Sequence, residues 1–402
     1  MTVVVRAARC FDGLAWRGPT QVVIDHGKIL EVGAPTALSS DASLLELGDV
    51  TLLPGLIDAH VHLTWDASPE AVAHVSDATD QELFDQARAS AQAALSVGIT
   101  TVRDLGDRAY AAVRLRDDFR QHPSAGPEIV AAGPPVTAHS GHCWFLGGGA
   151  ESLDELRAAV RERVEHGVDV VKVMATGGEM TPAGKQPHES QYRLEQLQAI
   201  ADATHAAGLP VTAHAHGAAG ARDAVNARFD SLEHAGFWTE TGAELSDSMV
   251  DELLDTGTFV VLTPAGRGLP DPSRLPPGIA TRYADLLQVM AMLWRSGLPL
   301  AYASDAGIVP TKDHSVLAHS LPRAVQIAPS VDAALRAMTS DAAAICNLGD
   351  RKGRLARGFD ADLLAVGGHP LEAPDALANT HTVIRAGQVV RSPSSEPSRQ
   401  PA

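Results

Sequence analysis

The sequence predicts an α/β fold: a (β/α)8 TIM barrel with a small β-sandwich domain formed by both chain ends. Three observations predict it. The middle of the 402-residue chain alternates apolar, strand-like runs with helix-like segments. Both ends read as short strands separated by turns. The chemically distinctive side chains fall where the apolar runs stop, and in such barrels the C-terminal strand ends carry the site.

Residues 1–52 form the first part of the expected sandwich. Thr2–Ala8 is β-rich, Asp12-Gly13 and His26-Gly27 are turn signals, and Gln21–Ile24 and Ile29–Val32 are apolar. Residues 53–350 form the barrel, its first strand beginning just before. The expected strands are Val50–Asp58, Thr100–Asp104, Glu128–Ala132, Val168–Met174, Leu209–Ala213, Phe229–Glu233, Thr258–Thr263 and Leu298–Ala303. Helix-like stretches such as Asp80–Ser96, Leu153–His166, Leu194–Ala207 and Ala280–Ser296 lie between them. Gly98, Gly167, Gly208 and Gly297 follow as helix stops. Residues 351–391 return to strands and turns, as in Ala361–Val366 and His381–Ile384, and complete the sandwich. Residues 392–402, rich in Ser and Pro, predict a disordered tail.

Composition narrows the function. At 45% hydrophobic and 20% charged, the chain can bury a large core. A net charge of −17 with no basic patch argues against nucleic acid, although a solvated acidic surface accounts for the charge by itself. Cys10, Cys143 and Cys346 are far apart, so no disulfide framework is expected and a reducing cytoplasm fits. No secretory signal or membrane-spanning stretch is evident. The expected partner is a small-molecule substrate, with neither nucleic acid nor membrane.

The first barrel run ends in His60-Val61-His62. Side chains repeat every second residue along a strand, so both imidazoles leave one face and can hold one ion. Lys172 lies in the fourth run, His214 ends the fifth, His234 the sixth and Asp305 the eighth. Each alone is a weak signal; together at one barrel mouth they are a strong one. Imidazoles and a carboxylate suit zinc and related divalent ions. Two ions about 3.5–4 Å apart can share a hydroxide and clamp a polarised bond. Lys172 is the odd member, because an ammonium only donates. The expectation is that it reacts with carbon dioxide, giving a carbamate that bridges the ions; the alternative is a lysine that orients substrate or pairs with an acid.

At these residues the chain resembles the amidohydrolase superfamily, over nearly its whole length. Leu53-Pro-Gly-Leu-Ile-Asp-Ala-His-Val-His62 is similar to the family's first-strand signature, Thr100-Thr-Val-Arg-Asp-Leu-Gly106 to the next strand, and Gly353–Leu364 to its closing β-domain. Gln191–Leu194 and Ala203–Gly217 resemble the branch of imidazolonepropionase-like proteins, prolidase-type dipeptidases and ochratoxinase-like amidases. The resemblance implies a binuclear site with carboxylated Lys172, with His60, His62 and Asp305 on one ion and His214 and His234 on the other. It also carries a family-level expectation of a homo-oligomer. His216 shares a face with His214 and competes with it; the 20-residue step from His214 to His234 favours His214, leaving His216 behind the ligands or near substrate.

Further site candidates come from the loops. In Ala138–Gly148, His142 matches the branch best and is cast as a donor to the scissile carbonyl; His139 is a lesser substrate contact. Tyr192 and Arg267 are possible substrate contacts, against the plainer roles of a packed tyrosine and a solvated arginine. Arg103 and Asp104 are expected to pair structurally. The expected reaction is hydrolysis of an amide or other carbon–nitrogen bond, with Asp305 passing the proton from water to the leaving amine. Dipeptides, N-acyl amino acids and mycotoxin-like aromatic amides are the expected substrates. The same site could serve a lactam, lactone, carbamate or ester, less favourably a ring deamination, and a barrel that had lost catalysis could act as a scaffold.

Overall fold

In the computed structural model, residues 2–37, 42–181, 184–269, 273, 275 and 277–392 are described. Apart from Ser392, the expected tail lies outside them. Eight parallel strands organise the middle: β1 (Leu56–Val61), β2 (Ile99–Asp104), β3 (Glu128–Ala131), β4 (Val171–Met174), β5 (Val211–His214), β6 (Ser231–Glu233), β7 (Phe259–Leu262) and β8 (Leu300–Tyr302). They form a three-stranded sheet, β3-β2-β1, and a five-stranded sheet, β4 to β8 in order. Parallel bridges Val61–Ala306 and Val136–Val173 join the sheets at both edges. Helices alternate with the strands, among them Asp80–Ser96, Leu153–Glu165, Leu194–Ala206 and Tyr283–Arg295.

Local chemistry explains these limits. Thr79 with Glu82, and Ser152 with Glu155, cap their helices reciprocally, each serine or threonine accepting a backbone N–H. Gly98, Gly167, Gly208 and Gly297 all adopt positive φ, from +70° to +91°, and turn the chain towards the next strand. The expected first strand, Val50–Asp58, is two strands. Val50–Pro54 pairs antiparallel with Leu363–Gly367, and β1 begins after Gly55. A side chain at 55 would meet Thr100 Oγ1 at 2.1 Å, so the turn there requires glycine. The α-helices Leu321–Ala324, Val331–Ala337 and Ser340–Ile345 follow β8.

The chain ends meet in two further sheets. One orders Lys28–Gly33, Thr20–Asp25, Val3–Ala7 and Ser43–Glu46; the other joins Gln388–Arg391, Thr380–Arg385, Leu363–Gly367, Val50–Pro54, Arg9–Phe11 and Trp16–Arg17. Val5, Val22, Ile24, Leu52, Leu363 and Ile384 pack in one apolar cluster drawn from both sheets. Buried Lys352 ties this region to the parallel strands, reaching Asp362 at 2.5 Å and Glu128, at the start of β3, at 3.0 Å. All three cysteines are buried and free. Among the described residues, no helix is long and apolar enough to cross a membrane.

Candidate metal centre and active site

His60 and His62 leave one face of β1, as their spacing predicts, with ring centroids 5.3 Å apart. Their Nε2 atoms lie 3.5 and 3.3 Å from Asp305 Oδ1. Asp305 follows β8 at φ +60°, a left-handed conformation that Asp tolerates better than most residues, and its N–H donates to the His60 carbonyl at 2.8 Å. Burial alone would raise its carboxyl. The hydrogen bond from His62 and the Lys312 and His60 charges outweigh burial and hold it well below the usual carboxylate range.

The second group is His214 at the end of β5, His216 beyond it, and His234 after β6. Their ligand atoms all lie within 4.8 Å of one another, as do those of His60, His62 and Asp305. His234 is 4.9 Å from the His60 ring, so the two groups adjoin. Burial pulls His60 and His216 down to about 4, and burial with neighbouring imidazoles pulls His214 and His234 well down too. Neutral rings with free lone pairs are the form that metals take.

Partners behind the rings direct those lone pairs. His60 Nδ1 is 2.7 Å from Glu233 Oε2, His62 Nδ1 is 3.2 Å from the Gly106 carbonyl, and His234 Nδ1 is 2.8 Å from Thr263 Oγ1. Each leaves Nε2 for an ion, the usual arrangement around ligating histidines. Glu233 is itself held by Arg103 at 2.8 Å and Thr212 Oγ1 at 2.6 Å. Neighbours on an extended strand face opposite ways, yet Glu233 and His234 both reach His60, because His234 adopts φ +67°. The same alternation explains a correction: Arg103 does not pair with Asp104. Arg103 binds Glu233 and the Ala59 carbonyl, while Asp104 accepts the N–H groups of Leu63 and Gly106.

Lys172 lies buried in β4. Burial pulls its amine down to about 8, although Glu233 acts the other way. His142 is also buried, 4.6 Å from the His214 ring, and its Nδ1 has no partner among the described residues. Burial pulls it down to about 3. Glycine at 178 makes room for it, since a Cβ there would fall 2.3 Å from the ring. The donor chemistry thus fits a pair of divalent ions.

The remaining loop candidates are placed elsewhere. His139 is exposed and faces Glu155 at 3.7 Å. Tyr192 is buried, and its hydroxyl donates to the Ala150 carbonyl at 2.8 Å, a packing role. Arg267 forks onto Asp313 at 2.9 and 3.1 Å. Of the aromatic residues in these loops, Trp238 lies 4.8 Å from the His216 ring, tilted by 37°, while Trp144 is 53% exposed.

Sequence reasoning missed two residues here. Glu233 had a signal, a carboxylate inside an otherwise apolar run. Lys312 had none, being in a loop with no spacing rule. Its Nζ donates to the Thr263 carbonyl at 2.8 Å and lies 3.9 Å from Asp305 Oδ2.

The amidohydrolase family model matches residues 51–390. Ochratoxinase of Aspergillus niger is 25% identical over 389 residues, covering 86% of this chain and 77% of its own. Imidazolonepropionase of Cupriavidus pinatubonensis is 26% identical over 408 residues, covering 92% and 88%. The crystal structure of a Xaa-Pro dipeptidase with bound methionine in its active site superposes with a TM-score of 0.84 at 26% identity, covering 97% of this chain and 99% of its own.

Proposed function

Because the chain belongs to the amidohydrolase family and is a metal-dependent hydrolase of carbon–nitrogen bonds, we propose that it cleaves an amide or peptide bond of a small molecule at a binuclear centre in a closed (β/α)8 barrel. The two bridges between the parallel sheets support reading β1 to β8 as one ring. The shared apolar cluster supports reading residues 1–52 and 351–391 as one β-sandwich flanking a barrel of residues 53–350.

The observation that carries the functional reading is the pair of adjoining donor groups, one of them containing an ionised carboxylate. His60, His62 and Asp305 would hold one zinc ion, and His214 and His234 the other. His216, stacked on His234 at 4.5 Å, would line the substrate side. Lys172 would contribute as a carbamate. Its lowered amine supports this, because the neutral nitrogen adds to carbon dioxide and releases one proton. When bound, the ions acidify water and polarise the scissile carbonyl.

The chain's own groups do the rest. Asp305 accepts the proton of the attacking water and delivers it to the leaving nitrogen. His142, with its unpartnered Nδ1, donates to the carbonyl oxygen as charge develops there. Likeness to an ochratoxinase, an imidazolonepropionase and a Xaa-Pro dipeptidase supports substrates such as dipeptides, N-acyl amino acids or aromatic amides. The test is amine release from a panel of these by the zinc-loaded chain. Asp305→Asn should keep bound metal yet lose turnover by about 10²–10⁴-fold. Near-native turnover in that variant would remove Asp305 from its role.

A further inference from the structure

Lys312 is a cation at the edge of the site with no task in the hydrolysis just described. Its Nζ is fixed by the Thr263 carbonyl, at the end of β7, at 2.8 Å. That bond uses one of the three ammonium donors. Asp305, at 3.9 Å, is its one carboxylate within ion-pair distance among the described residues. Its side chain keeps 19% of its surface open. The neighbouring cations are engaged. Arg103 binds Glu233, Arg267 binds Asp313, and Arg323 donates to the Pro264 and Gly268 carbonyls.

Position gives the spare donors a direction. Asp305 Oδ1 faces His60 and His62, while its Oδ2 is the oxygen nearest Lys312. Lys312 therefore meets Asp305 through the other carboxylate oxygen from the one nearest those two histidines. In the proposed reaction Asp305 hands its proton to the leaving nitrogen, so a group attached to that nitrogen comes nearest the ammonium. A compact point charge with two free donors suits a carboxylate.

We propose that Lys312 is the specificity-determining receptor for an anionic group on the amine side of the substrate, favouring amides whose leaving amine carries an α-carboxylate. The proposal rests on the amide-hydrolase reading and adds a residue that selects among its substrates. It competes with a simpler role, in which Lys312 only balances Asp305.

Paired probes separate the two roles. Binding of L-phenylalanine, the leaving amine that such an amide releases, and of its neutral carboxamide to the full, zinc-loaded chain is measured by calorimetry, in the wild type and in Lys312→Met and Lys312→Arg. Circular dichroism and metal content confirm that each variant is folded and loaded. The wild type should prefer the acid by about tenfold or more. Lys312→Met should reduce that ratio to near one, and Lys312→Arg should restore part of it. An unchanged ratio in folded, loaded Lys312→Met would overturn the proposal, as would a wild type indifferent to the charge. A Lys312-dependent preference with no hydrolysis of any amide would leave the receptor standing and remove the assigned reaction.

Discussion

At the scale of single residues, the centre depends on what holds each ligand from behind. Glu233 accepts from Arg103 and Thr212 and fixes His60 through Nδ1. Burial alone would raise its carboxyl, but Arg103 and the His60 hydrogen bond hold it well below its usual range. Glu233→Gln keeps the length and removes the charge. It should weaken binding of the ion at His60 by about 10–100-fold, as read by competitive chelator titration. Unchanged affinity would show that Glu233 does not orient the ligand. Strand-end polar residues after apolar runs stand out in the sequence, and the structure brings His60, His62 and Asp305 into one group and His214 and His234, with His216, into another. Glu233 and Lys312 were not legible as site residues. One depends on a left-handed backbone at His234 that defeats strand alternation, the other on a loop returning over Asp305. The surroundings of His139 and Tyr192 came only from the structure, because a residue's place in a loop says nothing about which way its side chain turns.

At the scale of elements, strand and helix order followed from periodicity and helix-stopping glycines, while boundaries depended on tertiary contacts. Gly55 splits one expected strand only because Thr100 lies against it. The ion network around Lys352 was likewise invisible, since Glu128, Asp360 and Asp362 are spread along the chain. In each of these carboxyls burial acts upwards, and the surrounding Lys and Arg groups outweigh it, so all three lie below their ordinary values. Groups depressed in the folded state stabilise it above their unfolded values, near pH 4, and lose that contribution as pH falls further. Melting temperature should therefore drop steeply below about pH 4. Lys352→Met leaves buried carboxylates short of a partner and should cost about 3 kcal/mol at neutral pH. Its acid-induced loss should also be smaller than that of the wild type. Equal melting curves for the two proteins would show that the network does not join the parallel strands and the terminal sheets energetically.

At the scale of the whole molecule, the two chain ends join one sheet, with the parallel strands β1 to β8 inserted between them in sequence. Turn-separated short strands predicted that the ends would meet. They did not predict the parallel pairing of Arg9–Phe11 with Val50–Pro54, because strand partners are chosen by the assembled core. Within that insert, β1 lies beside the stretch following β8, where His60 and Asp305 meet. The central claim is that this arrangement carries a pair of metal ions. Elemental analysis of the full chain, after zinc loading and removal of free metal, tests it most directly. The account predicts about two divalent ions per chain; one or none under replete conditions would contradict it.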